Sequence, residues 1–163
     1  MRGIELSLAT EADIAFVMAA ERQEGFDVFV GRWERERHLA ALQSDSYRYF
    51  IGRIAGGLIG FVIVRDWGSP ERVTYIKRIV VTDPGKGLGR ALLAKVIDRI
   101  FADTEAFRVW LGVFAENERA QRAYRAIGFR DEGISRGAAF FYGRHRDELV
   151  MAVLRPEWRS AAR

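Results

Sequence analysis

The segment Thr82-Asp-Pro-Gly-Lys-Gly-Leu-Gly-Arg-Ala-Leu-Leu-Ala-Lys-Val96 places glycines at 85, 87 and 89, behind the strand-like YIKRIVV and ahead of a helix-like run. The first amides of a helix lack intrahelical partners, and glycine has no Cβ to hold a ligand off the backbone, so this junction suits a phosphate. Two well-known phosphate motifs are excluded. No Gly-x-x-x-x-Gly-Lys-Ser/Thr string occurs, and a Gly-x-Gly-x-x-Gly fingerprint fails at Arg90 if begun at Gly85 and at Leu92 if begun at Gly87. Further on, VFAENERAQRAYRAIGFR sets Asn117, Ala120, Tyr124, Gly128 and Phe129 in series. Asn117 and Tyr124 lie seven residues apart, so two helical turns bring them to one face. Each feature also has a plain structural reading: a tight turn for the glycines, a helix N-cap for Asn117 and core packing for Tyr124.

The elements that must position these residues follow from periodicity. IELSL (Ile4 to Leu8) alternates like a strand, and Thr10 with Asp13 caps a helix over IAFVMAAERQ. A second helix is expected over Trp33 to Leu42. YRYFIGRI and LIGFVIV flank a hairpin turn at Ala55-Gly-Gly57, and RVTYIKRIVV continues as a third strand. Leu88, Leu92, Leu93, Val96, Ile97, Ile100 and Phe101 recur at helical spacing, opening a helix at the glycine loop. FRVWLGVF reads as a central strand, Asn117 to Ile127 as a helix ended by Gly128, and ELVMAVL as a last strand. The order predicts one α/β domain over residues 1–163: a mixed, mainly antiparallel sheet of six to seven strands flanked by about four helices.

Composition narrows the chemistry. The 163 residues are 49% hydrophobic, enough for one core. Without cysteine there is no disulfide, no thiolate metal site and no cysteine nucleophile, and with two histidines no metal is expected. The net charge of +4 comes almost wholly from arginine and favours an anionic ligand. No apolar run long enough for a membrane span occurs, and acids stand where a signal peptide needs an apolar stretch, so a cytoplasmic protein with no membrane partner is expected.

Together the motifs resemble those of the GNAT-type N-acetyltransferases. The family's pyrophosphate loop, Arg/Gln-x-x-Gly-x-Gly/Ala, is similar to the stretch ending Gly87-Leu88-Gly89, although Pro84 stands at the Arg/Gln position. Its later motif, Asn-x-x-Ala-x-x-x-Tyr-x-x-x-Gly-Phe, is matched at every defined position from Asn117 to Phe129. The C-terminal part is similar to the branch that includes ribosomal-protein N-terminal and polyamine acetyltransferases. The resemblance implies acetyl-CoA as cosubstrate. Ile79 and Val81 would contact its pantetheine arm, and Lys86, Gly87, Leu88, Gly89, Arg90, Asn117 and Arg122 its remainder, with Arg119 beside them. Tyr124 would protonate the leaving thiolate.

The implied acceptor is an amine: a peptide N-terminus, a polyamine or another small amine. The first two helices would wall its pocket, which makes Glu21, Glu24, Asp27, Glu34, Glu36 and His38 candidates to accept or relay a proton; Glu21 and Glu24 are taken as catalytic, and Glu116 is a further candidate. Charge on such helices is more often a solvated face. Two non-catalytic alternatives are an acyl-CoA sensor and an arginine-rich nucleic-acid-binding module, the latter without a basic stripe interleaved with aromatics. A homodimer is compatible with the acetyltransferase reading. Gly133-Ile-Ser-Arg-Gly137 spells the nucleophile elbow of α/β-hydrolases, but no acid stands between Ser135 and His145 to complete a triad.

Overall fold

A computed structural model describes residues 3–26 and 29–160. Strand β1 (Glu5–Leu8) leads through a short 3-10 turn, in which the Asp13 carboxylate accepts the Thr10 amide at 2.8 Å, into α1 (Ile14–Glu21). Helix α2 (Arg35–Gln43) follows, then β2 (Tyr47–Ile54), β3 (Gly57–Arg65) and β4 (Val73–Val81). Helix α3 (Leu88–Asp103) opens at the glycine loop and precedes β5 (Arg108–Phe114) and α4 (Glu118–Ala126). Strands β6 (Arg130–Phe141) and β7 (Arg144–Leu154) form the last hairpin, and α5 (Arg155–Ser160) completes five helices.

All seven strands make one sheet in the order β1-β2-β3-β4-β5-β7-β6. Every pairing is antiparallel except β4 with β5. Strand alternation divides the apolar residues between two faces. Phe50, Val62, Val64, Ile76, Val109, Leu111 and Met151 pack against the Leu92, Leu93, Val96, Ile97 and Ile100 stripe of α3. Tyr49, Ile51, Phe61, Ile63 and Val80 pack on the other face against Ile14, Val17 and Ala20 of α1, spaced to share one helical side. Among the described residues no helix is long and apolar enough to cross a membrane.

The central parallel pair opens the sheet to a ligand. Strands β4 and β5 pair only from Val73↔Arg108 to Tyr75↔Trp110, while β4 runs on to Val81 and β5 to Phe114. Beyond Tyr75 the β3-facing edge of β4 stays paired, with a register shift opposite Ile63 and Val64. The β5-facing edge opens into a fork that joins the two faces of the sheet.

Candidate active site

The fork belongs to a cavity of about 1490 Å³. That exceeds the roughly 300–1,000 Å³ common for a single small ligand and leaves room for two substrates. One wall is built by the loop into α3. Gly87 caps this helix at φ 76°, a left-handed conformation that costs a side-chain-bearing residue about 1–2 kcal/mol. The ladder starts with the Ala91 amide bonding the Gly87 carbonyl at 3.1 Å, which leaves the amides of Leu88, Gly89 and Arg90 at the open end of a 16-residue helix. Arg119 leans over the same loop: a Cβ built on Gly85 would stand 3.2 Å from its Nη2. Pro84 also lines the cavity, so the loop offers one amide fewer than a non-proline residue would give.

Helix α4 supplies the next wall. Asn117 is its N-cap, with Oδ1 accepting the Ala120 amide at 3.2 Å, and it also lines the cavity. Tyr124 packs against the α3-side core, its ring 6.1 Å from that of Phe129. Burial pushes its hydroxyl pKa up to about 12, so it is a neutral donor at physiological pH. Among the described residues that hydroxyl has no hydrogen-bond partner.

On the other face of the sheet, Tyr75 and Trp110 stack at 4.3 Å, with the Arg65 guanidinium 4.5 Å above Tyr75. Trp33, from the segment before α2, has Arg37 at 4.1 Å, Arg78 at 5.0 Å and Lys77 at 5.9 Å around its ring. Glu148 on β7 faces the same space. Its carboxylate covers Gly112 on the neighbouring strand so closely that a Cβ there would overlap Oε2. Burial raises the Glu148 pKa, partly offset by Lys77. Burial lowers that of Lys77, reinforced by Arg78, Arg65 and Arg37.

Of the residues expected from sequence, Ile79, Val81, Gly87, Gly89, Arg90, Glu116, Asn117, Arg119, Arg122 and Tyr124 share this cavity. Lys86 and Leu88 are not in its wall; Lys86 pairs with Asp83 at 2.5 Å on the surface. Glu21 lies outside it too, fully buried beneath Trp33 and Arg78. Its Oε2 accepts the Trp33 amide at 3.0 Å, and its Oε1 meets Arg78 Nη1 at 3.2 Å and His38 Nε2 at 2.5 Å. So placed, the Glu21 carboxylate ties the elements behind the wall together and does not itself line the cavity. Glu24 is exposed after α1 and outside the lining. His38 is part of the Glu21 network, bonded through Nδ1 to the Tyr49 hydroxyl at 2.7 Å. Glu34 and Glu36 are exposed, Glu116 pairs with Arg146 at 3.3 Å, and Asp27 lies outside the described residues.

Sequence reasoning did not single out Glu148, Tyr75 and Lys77, which line the cavity. Glu148 appears in sequence as one acid in an apolar strand, and only its register opposite Phe114 and Ser135 turns it to the cavity. The Gly133–Gly137 string lies in the bulged strand β6, not at a strand-to-helix turn, so no nucleophile elbow exists there. Among the described residues no group of three His, Asp or Glu is placed to hold a metal ion.

The cavity joins an anion-suited helix start to a forked parallel pair, and the pattern of the acetyltransferase (GNAT) family matches residues 15–129, so the chain belongs to that family. It is an N-acetyltransferase with the family's fold. The chain is 25% identical over 139 residues to spermidine N(1)-acetyltransferase of Vibrio cholerae, covering 85% of this chain and 78% of that protein. It is 43% identical over 69 residues to an uncharacterized N-acetyltransferase of Mycobacterium tuberculosis, 42% of either chain. In fold it is similar to the crystal structure of Vibrio cholerae spermidine N-acetyltransferase in complex with CoA and spermine, with a TM-score of 0.84 at 22% identity over 96% of this chain and 98% of that one.

Proposed function

We propose that the chain moves the acetyl group of acetyl-CoA directly to a primary amine while both are bound. One observation carries the reading: a single cavity runs from the open start of α3, past Tyr124, through the β4–β5 fork to the opposite face of the sheet. The pyrophosphate binds at the amides of Leu88 to Arg90 with Arg90, Arg119 and Arg122 around it, which offsets the donor lost at Pro84. The pantetheine arm adds to the open edge of β4 at Ile79 and Val81, where unpaired strand groups offer hydrogen bonds. Asn117 holds the arm from α4.

The acceptor enters from the other face and gives up one proton before it attacks as the neutral amine. Its nitrogen attacks the thioester carbon to form the new C–N bond, and the C–S bond breaks as the intermediate collapses. The Tyr124 hydroxyl donates to the departing sulfur and regains a proton from the nitrogen, so the net products are an amide, free thiol and one released proton. Glu21 takes no proton in this scheme: through His38, Arg78 and the Trp33 amide it fixes the acceptor wall. A cytoplasmic setting, where acetyl-CoA is available, suits the reaction.

The test is thiol release from acetyl-CoA with and without amines, together with the mass of the acetylated product. Acetyl-CoA is expected to raise the melting temperature, and thiol release is expected to require an amine. Absence of both, or an acetylated enzyme that forms and turns over as an obligatory step, contradicts direct transfer.

A further inference from the structure

The acceptor face of the cavity is charged in an unusual sense for a site that takes an amine. Four cations, Arg37, Arg65, Lys77 and Arg78, converge on the aromatic floor made by Trp33 and Tyr75. Arg78 is matched by Glu21 at 3.2 Å, and Arg65 approaches Asp66 at 3.6 Å. Among the described residues neither Lys77 nor Arg37 has a carboxylate within ion-pair distance. Their positive field is therefore offset by no direct ion pair, and the lowered Lys77 pKa reflects it: after burial itself, Arg78, Arg65 and Arg37 lower it, while Glu148 acts the other way. A polycation entering here would meet like charge at several points along its length.

Glu148 is the counterweight. It is half-buried over Gly112, close enough to Lys77 and Tyr75 to perturb both. One carboxylate suits one ammonium, and the neighbouring cations then face whatever the same molecule carries a few bonds away.

We propose that the acceptor is a small primary amine bearing its own carboxylate or phosphate, with its ammonium received at Glu148 and its anionic group at Lys77 and Arg37. This rests on the acetyl-transfer reading and narrows it, since the fold-similar Vibrio cholerae enzyme holds spermine. At Glu148 the ammonium gives up the one proton that must leave before nitrogen can attack. Glu148 is thus both the docking point and the first proton acceptor, while the cations select the substrate by charge.

Matched amines test the proposal: β-alanine against its amide, 2-aminoethyl phosphate against 2-aminoethanol, and spermidine as the polycation, each with acetyl-CoA and wild-type protein. The anionic member of at least one pair should exceed its neutral partner and spermidine in kcat/KM by about tenfold or more, and which pair does so separates carboxylate from phosphate recognition. Arg37→Glu, on the exposed first turn of α2, should narrow or reverse that ranking, and Lys77→Glu should do so more strongly if it folds. Neutral amines or spermidine reacting as well as the anionic ones, or an Arg37→Glu ranking identical to wild type, overturns the proposal. Acetyl-CoA binding is read separately as a thermal shift. If that shift is present while the ranking fails, only the charge selection falls; if the shift is absent as well, the acetyl-transfer reading falls with it.

Discussion

The Glu21 carboxylate, on the last turn of α1, lies 2.5 Å from His38 Nε2 on α2, and both side chains are fully buried. With the Trp33 amide and Arg78 also on Glu21, one acid ties two helices, the segment between them and β4 into a single wall. A buried charge with this many partners is costly to break from one side, because the others are left uncompensated.

Glu21→Ala is accordingly expected to lower stability by about 3–5 kcal/mol, the range for removing one partner of a buried ion pair, as read by urea denaturation. The isosteric Glu21→Gln should be milder and leave kcat of the folded fraction within about tenfold of wild type, less than the roughly 10²-fold or more expected on losing a general base. A folded Glu21→Gln enzyme with a far larger loss of kcat would restore Glu21 to the proton path.

Gly89 faces the cavity from the first turn of α3, and a Cβ there would meet only Val81 methyls at 3.8 and 3.9 Å, ordinary contact distances. Gly89→Val should therefore fold with a melting temperature within a few degrees of wild type, yet fill the approach to the helix amides. The acetyl-CoA-induced thermal shift should shrink or vanish. A full shift in a folded Gly89→Val protein would move the pyrophosphate site elsewhere.

Glu148 gives a pH dependence of known sign. Burial raises its pKa, so the carboxylate that accepts the amine proton is lost at a higher pH than an exposed glutamate would be. kcat/KM should fall as pH drops through that raised value, and Glu148→Gln should lower kcat/KM and remove this acidic limb. The stability effect runs the opposite way. A carboxyl whose pKa is raised by folding contributes stability below its unfolded pKa and loses it as pH rises through the folded value. Glu148→Gln should then unfold at a higher temperature than wild type at neutral pH. An unchanged acidic limb would exclude Glu148 as the proton acceptor.

Which of these residues sequence could reveal depends on whether their partners are local. The glycine loop, the Asn117 cap and Tyr124 were legible because chain spacing alone fixes them on a helix start or a helix face. The α3 stripe and the β2–β3 hairpin were legible for the same reason, and the seven-stranded sheet with its helices came out as expected. Glu21 looked like an exposed helical acid because nothing local shows that His38, Trp33 and Arg78 converge on it. Glu148 was missed because its place depends on β7 lying beside β5, a pairing between distant segments. Strand β6 was hidden by two register shifts that scramble its alternation, and α5 by its six-residue length, too short for a periodic signal.

The central claim is that Tyr124 protonates a leaving thiolate, and Tyr124→Phe tests it most directly. The phenyl ring keeps the contact with Phe129 and the α3-side core, and the hydroxyl it removes has no partner among the described residues, so the fold should be preserved. Single-turnover rates with saturating acetyl-CoA and amine should fall by about 10²-fold or more, with the acetyl-CoA thermal shift unchanged. A wild-type single-turnover rate in the folded variant would contradict the account.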